Sequence, residues 1–193
     1  MKDLKEKENR KRRKSMLWAL FVIVLMAGSS IAYVFSSIGQ DNTPKTDFEY
    51  HGFTFTKTDS GYYFLYQNKP IQVDYLPSEV ANIPYQSMPL VSSKVYFAFN
   101  ATERDVNLDY SMRKVYSVLR GKGTVTTIAC TSEIDCPDIP IVYCDSSPSP
   151  VIVFRSGVSS RGYIEGQCLI LEGDTIGLSQ LADRTVYQAL GVM

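Results

Sequence analysis

The segment Ser15–Gln40 (SMLWALFVIVLMAGSSIAYVFSSIGQ) contains no charged residue, and nothing else in the chain constrains its fold as strongly. Its apolar core, Met16 to Ile38, covers 23 positions. A helix that long, at ~1.5 Å per residue, reaches roughly 34 Å and so crosses a hydrocarbon layer of about 30 Å. Trp18 and Tyr33 lie toward the two ends, where amphipathic rings favour the interface. The preceding residues, MKDLKEKENRKRRK, hold eight basic and three acidic side chains, a charge of +5. The positive-inside bias therefore places residues 1–14 in the cytoplasm and everything after the span outside the cell membrane. A cleaved signal peptide is the rival reading, with Leu17–Met26 as its apolar region and Ala27, Gly28, Ser29 and Ser30 as the small residues. The second apolar stretch, Ile31 to Phe35, extends the run to spanning length and favours a retained signal-anchor.

The expected organisation is a basic cytoplasmic tail (1–14), a transmembrane helix (15–38), a linker (39–46) and an extracytoplasmic α+β domain (47–193). The whole chain balances 20 Lys+Arg against 20 Asp+Glu, so with +5 in the tail the remainder carries −5. An acidic folded domain excludes nucleic-acid binding by bulk attraction. The KRRK run, set against an apolar span, reads as a topology determinant with an affinity for anionic headgroups. Mean hydropathy of −0.09 excludes a multi-span membrane protein, and 45% apolar residues suffice for a packed core.

Within the domain, residues 48–76 read as a β-meander. Its strands are a first around Phe48–Phe55 that includes His51, a second at Tyr62–Tyr66, and a third through Ile71, Val73 and Tyr75. Turns fall at Thr58–Gly61 and Gln67–Pro70. Glu79 to Ile83 suits one short helical turn. Val95–Phe99 is continuously apolar, as a buried strand would be. Leu108, Met112, Val115, Tyr116 and Leu119 share one face of a helix over 105–120, stopped by Gly121 and Gly123. Val125–Ala129 follows as a strand, giving a β-α-β unit with a parallel pair. The remainder reads as strands at Ile139–Tyr143, Val151–Phe154 and Tyr163–Leu171, then a helix capped by Asp174 or Thr175. Leu178, Leu181, Ala182, Val186 and Leu190 form that helix's apolar stripe, and Gly191 ends it.

Cys130, Cys136, Cys144 and Cys168 are the only cysteines and all fall in the exported part. An even number in an oxidising compartment reads as two disulfides, with three connectivities open. The expected pairing is 130–136, closing the TSEID loop, and 144–168, tying two nearby strands; by loop closure the longer 144–168 loop should stabilise more. The spacing has no C-x-x-C, so it departs from both zinc knuckles and dithiol redox motifs, although a labile Cys130–Cys136 loop stays open. His51 is the only histidine, which excludes a His-rich metal site and argues against catalysis. No Walker A, G-x-S-x-G or dinucleotide fingerprint occurs, and no cofactor is expected. Glu133, Asp135, Asp138 and Asp145 crowd the cysteine loops; calcium is one reading and solvated loop charge the plainer one. Asp183-Arg184 reads as helix-surface charge or an ion pair. The tyrosines concentrated in the meander suit core packing, or stacking on a sugar or peptide. Asn100-Ala101-Thr102 is a possible glycosylation sequon.

The residues Cys136-Pro137-Asp138-Ile139-Pro140-Ile141, Cys144, Val151–Phe154, Gly166-Gln167-Cys168 and Leu181–Arg184 through Met193 resemble single-pass membrane proteins of archaea. That resemblance implies a membrane anchor and brings no activity with it. Pro150–Gly157 with the following strand and helix is similar to the closing hairpin-helix of thioredoxin-like folds. That likeness implies a thiol-disulfide or thioredoxin-like envelope protein, but the missing C-x-x-C would leave it without redox activity. The expected function is a membrane-anchored extracytoplasmic binding or structural domain, not an enzyme, with an envelope protein as partner. The thiol-disulfide protein is the alternative.

Overall fold

The computed structural model describes residues 47–90 and 92–193. The expected tail, span and linker lie outside the described residues, and among the described residues no helix is long and apolar enough to cross a membrane. Residues 46–193 form one compact unit.

The unit is α+β and has two sheets. Strands β1 (Asp47–Tyr50), β2 (Phe53–Thr58), β3 (Gly61–Tyr66) and β4 (Lys69–Val73) form an antiparallel meander in chain order. The meander has four strands where three were expected. His51, with φ +46°, and Gly52 turn the chain between β1 and β2, so His51 is a turn residue and not a strand residue. Its Nδ1 lies 3.3 Å from the Val192 carbonyl. Gln67 and Asn68, at φ +50° and +61°, make the tight turn into β4. Pro70 has no N–H to give a neighbouring strand, which suits β4's position at the sheet edge.

After the one-turn helix α1 (Pro77–Val80) come β5 (Lys94–Phe99), α2 (Val106–Gly121), β6 (Val125–Cys130), β7 (Val151–Ser156), β8 (Arg161–Glu165), β9 (Cys168–Gly173) and α3 (Thr175–Leu190). The second sheet has the order β6-β5-β7-β9-β8, parallel except for β8. The β5-α2-β6 unit and the parallel pairing of β5 with β6 are as expected. Two strand expectations are corrected. Tyr163–Leu171 divides into β8 and β9, because Gly166 at φ +56° and Gln167 reverse the chain. Ile139–Tyr143 contributes only a single bridge, Ile141 beside Cys130, since Pro137 and Pro140 deny it a ladder.

Side chains cap both long helices. Asp105 accepts from the N–H groups of Asn107 and Leu108, both at 2.8 Å, and Asp174 accepts from Gly177 N–H at 2.8 Å. Gly191 takes the left-handed conformation that closes α3, and Val192 N–H returns to the Tyr187 carbonyl at 2.9 Å.

The helices lie between the sheets. Val95, Phe97, Phe99, Ile152, Phe154, Leu169 and Leu171 point from the mixed sheet into one core with Leu108, Val115, Leu181 and Val186. From the meander, Phe55, Phe64 and Val73 join the same core, and the Phe55 and Phe64 rings sit 5.9 and 6.0 Å from that of Tyr187. The alternate residues Ala98, Val151, Val153, Cys168 and Ile170 face the other way, against Val142 and Cys144 of the 131–150 segment. A sheet covered on both faces explains why β5, β7 and β9 read as unbroken apolar runs.

Candidate functional site

Two features stand out in the helix layer: a buried charge cluster and an open groove beside it. The cluster is built from three elements. Asp183 lies on the inner face of α3, one turn from Ser179 and one from Tyr187, and is fully buried. Its Oδ2 accepts from the backbone N–H groups of Asp74 and Tyr75 at 2.8 and 3.0 Å, just past the end of β4. Its Oδ1 pairs with Lys114 Nζ from α2. Lys114 also reaches Asp74 Oδ2 at 3.0 Å and Ser179 Oγ at 3.2 Å, so its ammonium is ion-paired to both carboxylates and hydrogen-bonded to two of the cluster's oxygens. Ser179 Oγ donates to Asp74 Oδ2 at 2.5 Å and Tyr110 OH to Asp74 Oδ1 at 2.9 Å.

Burial sets the titration of this group. It pushes Asp183 up to about 6, against the pull of the Lys114 ammonium. Burial also acts to raise Asp74, but the Ser179 hydrogen bond, the Lys114 charge and the Tyr110 hydroxyl outweigh it and hold the carboxyl below its ordinary value. Tyr110 rises to about 12, first through burial and then because its proton is held by Asp74. At neutral pH the Lys114 ammonium is shared by the two carboxylates. The arrangement is a latch that joins the meander to both helices.

The groove runs along the outside of that latch, between β4 and α2. Its upper part, about 370 Å³, lies against Gln72, Tyr110, Arg113 and Lys114. Its lower part, about 250 Å³, reaches Tyr66, Lys69, Lys122 and Leu190. Both parts share Pro70, Ile71, Ser117 and Val118, so they adjoin along the same gap. Lys69 and Arg113 have no carboxylate within ion-pair distance among the described residues. Lys122 gives its ammonium to the Ala189 carbonyl, which leaves its charge without a counter-ion. The groove thus combines an apolar floor with three uncompensated cations, on a domain whose net charge is −5.

The sequence-predicted residues lie elsewhere. Cys130–Cys136 and Cys144–Cys168 are disulfide-bonded, with Cα separations of 6.1 and 5.1 Å, the favoured pairing. The first staples an exposed loop beyond β6, and the second ties the 131–150 segment to β9. Glu133, Asp135, Asp138 and Asp145 are all exposed, and among the described residues no three His, Cys, Asp or Glu side chains gather as a metal site would require. Asn100 follows β5, where its Oδ1 accepts from Thr102 N–H at 3.3 Å and its Nδ2 donates to Glu103 at 2.9 Å. Asp183 and Arg184 do not form the surface pair expected of them. Asp183 turns inward to Lys114, while Arg184 Nη1 lies 2.7 Å from each of the carbonyls of Val80, Ala81 and Ile83. The helix stripe explains this, because Asp183 falls on the same line as Ser179 and Tyr187.

Sequence reasoning missed Lys114 and Asp74. Lys114 gave a faint signal, next to Val115 on the apolar face of α2, whereas Asp74 gave none. No family model, curated protein or solved structure matches this chain.

Proposed function

We propose that the chain is a membrane-anchored extracytoplasmic binding domain, not an enzyme, with the groove between β4 and α2 as its ligand site. One observation carries the reading: among the described residues the groove offers three cations without counter-ions around an apolar floor, while the buried charges beside it pair with one another. Free cations beside apolar surface suit recognition of a partner with carboxylates and apolar side chains. A latch of paired charges suits a rigid wall for that groove rather than proton transfer. The uncharged segment Ser15–Gln40 supplies the anchor and the basic tail its cytoplasmic side.

The test uses the full chain in the membranes of cells that express it. A photoreactive residue at Ser117, on the groove floor, should yield a discrete protein adduct, and the charge reversal Arg113→Glu should abolish it. The same chain should resist thiol labelling until it is denatured and reduced. No adduct at Ser117, or turnover of a substrate from a hydrolase panel, would overturn the reading. Rapid labelling of native thiols would replace it with the thiol-disulfide alternative.

A further inference from the structure

Resting on that reading of the groove, we infer that its occupant is the Cys130–Cys136 loop of a second copy of this chain. The loop carries the features the groove lacks. Ile134 is 67% exposed, and it stands between the exposed carboxylates Glu133 and Asp135, with Asp138 close behind. The groove has the inverse pattern, an apolar floor of Ile71 and Val118 bordered by Lys69, Arg113 and Lys122. An apolar residue between two acids thus meets an apolar floor between bases.

The loop is also held ready. The disulfide closes it, Cys130 N–H bonds to the Pro140 carbonyl at 2.9 Å, and Val142 N–H bonds to the Cys130 carbonyl at 2.9 Å, fixing its base to β6. Asp135 occupies the left-handed region at φ +55°, which sets the turn at the tip. A stapled loop loses little conformational entropy on docking, which favours affinity from a small contact. Loop and groove are different surfaces of one molecule, so the contact is heterologous and propagates head to tail, into a ring or an open row. Confinement to one membrane would raise the effective concentration of copies for each other.

A photoreactive residue replaces Ile134 in the full chain, and isotope-labelled and unlabelled chains are mixed in liposomes. We expect adducts that join a labelled to an unlabelled chain and map to residues 66–72 or 113–122. The pair Lys69→Glu and Arg113→Glu should reduce them at least tenfold, as should the pair Glu133→Lys and Asp135→Lys in the loop. With the photoreactive residue at Ile134 carried only by the loop variant, liposomes holding both variants should recover the adduct on the groove variant, because a reversed groove then meets a reversed loop; that recovery also shows that neither variant is unfolded. About 1 M salt, where the screening length is near 3 Å, should weaken the adduct in the wild type. Adducts confined to one chain, adducts only to another protein or lipid, or no recovery on mixing would overturn the self-docking. A groove that cross-links from Ser117 to a different acidic protein would refute only this inference, whereas a groove that cross-links to nothing would refute the binding reading as well.

Discussion

Asp183 illustrates what a single buried carboxylate does to this fold. Its Oδ2 accepts two backbone N–H groups and its Oδ1 pairs with an ammonium, so Asp183→Ala strands two backbone donors in the interior and takes away one of the two carboxylates that pair with Lys114. The expected loss is about 3–5 kcal/mol of unfolding free energy by urea titration. Asp183→Asn keeps one acceptor oxygen for the backbone donors and should cost less. The pH dependence has a definite sign. The folded carboxyl binds its proton near pH 6 and the unfolded one only near 3.8, so the folded state holds the extra proton between those values. Stability from this residue is therefore gained as pH falls from 7 toward 4 and lost as pH rises through 6, by up to roughly 3 kcal/mol. Asp74 acts oppositely: its depressed value adds stability that disappears only in stronger acid, below 3.8. Wild type should thus resist urea better at pH 5 than at pH 7.5, and Asp183→Asn should flatten that difference. Gly61 makes a separate point at the same scale. Its φ is +124°, and a Cβ there would lie 2.4 Å from the Val73 carbonyl oxygen. Gly61→Ala should cost about 1–3 kcal/mol, read as a lower urea midpoint.

Among the elements, the two disulfides differ in what they hold. The 144–168 bond spans 24 residues and the 130–136 bond 6. By loop-closure entropy the longer one should stabilise more, by roughly 1 kcal/mol. Cys144→Ser with Cys168→Ser should therefore lower the thermal midpoint further than Cys130→Ser with Cys136→Ser. The longer bond also keeps the 131–150 segment over Val151, Val153 and Ile170, so its loss should raise binding of a hydrophobic dye. The shorter bond's loss should leave dye binding unchanged. The outer edge of β8 shows another device. Gln86 N–H and the Pro84 carbonyl bond to Gly162 at 2.8 Å each, and the Tyr85 ring lies where a Cβ on Gly162 would stand, 2.5 Å away. An irregular segment thus occupies an edge that would otherwise be open to pairing.

At the scale of the molecule, the meander and the mixed sheet share one core through Tyr187, Phe55 and Phe64, and the latch adds a polar tie between the same layers. Neither sheet buries its inner face without the helices. Residues 46–193 should therefore unfold in one cooperative transition, coincident by far-ultraviolet signal and by tyrosine near-ultraviolet signal. Two separated transitions would show that the meander folds on its own. The only tryptophan, Trp18, lies outside this unit, so tryptophan fluorescence does not report on its core.

Periodicity by itself made the two long helices, the apolar strands β5 and β7 and the caps at Asp174 and Gly191 legible, because each rests on contacts within a few residues. The even cysteine count pointed to two disulfides, whereas the choice among three pairings was fixed only by which strands and loops lie side by side in the fold. The split between β8 and β9 was lost because Gly166 and Gln167 lie inside a run that is apolar on both sides. The fate of Ile139–Tyr143 was lost because a strand needs a partner, and the partner depends on the order of the sheet. Asp74, Lys114 and Asp183, 109 residues apart at their extremes, became a cluster only when β4, α2 and α3 packed together. The groove is likewise a property of the gap between two of those elements. Local chemistry is written in neighbouring residues, whereas burial, pairing of charge and the shape of a cleft belong to elements that are distant in the chain and meet only in the folded state.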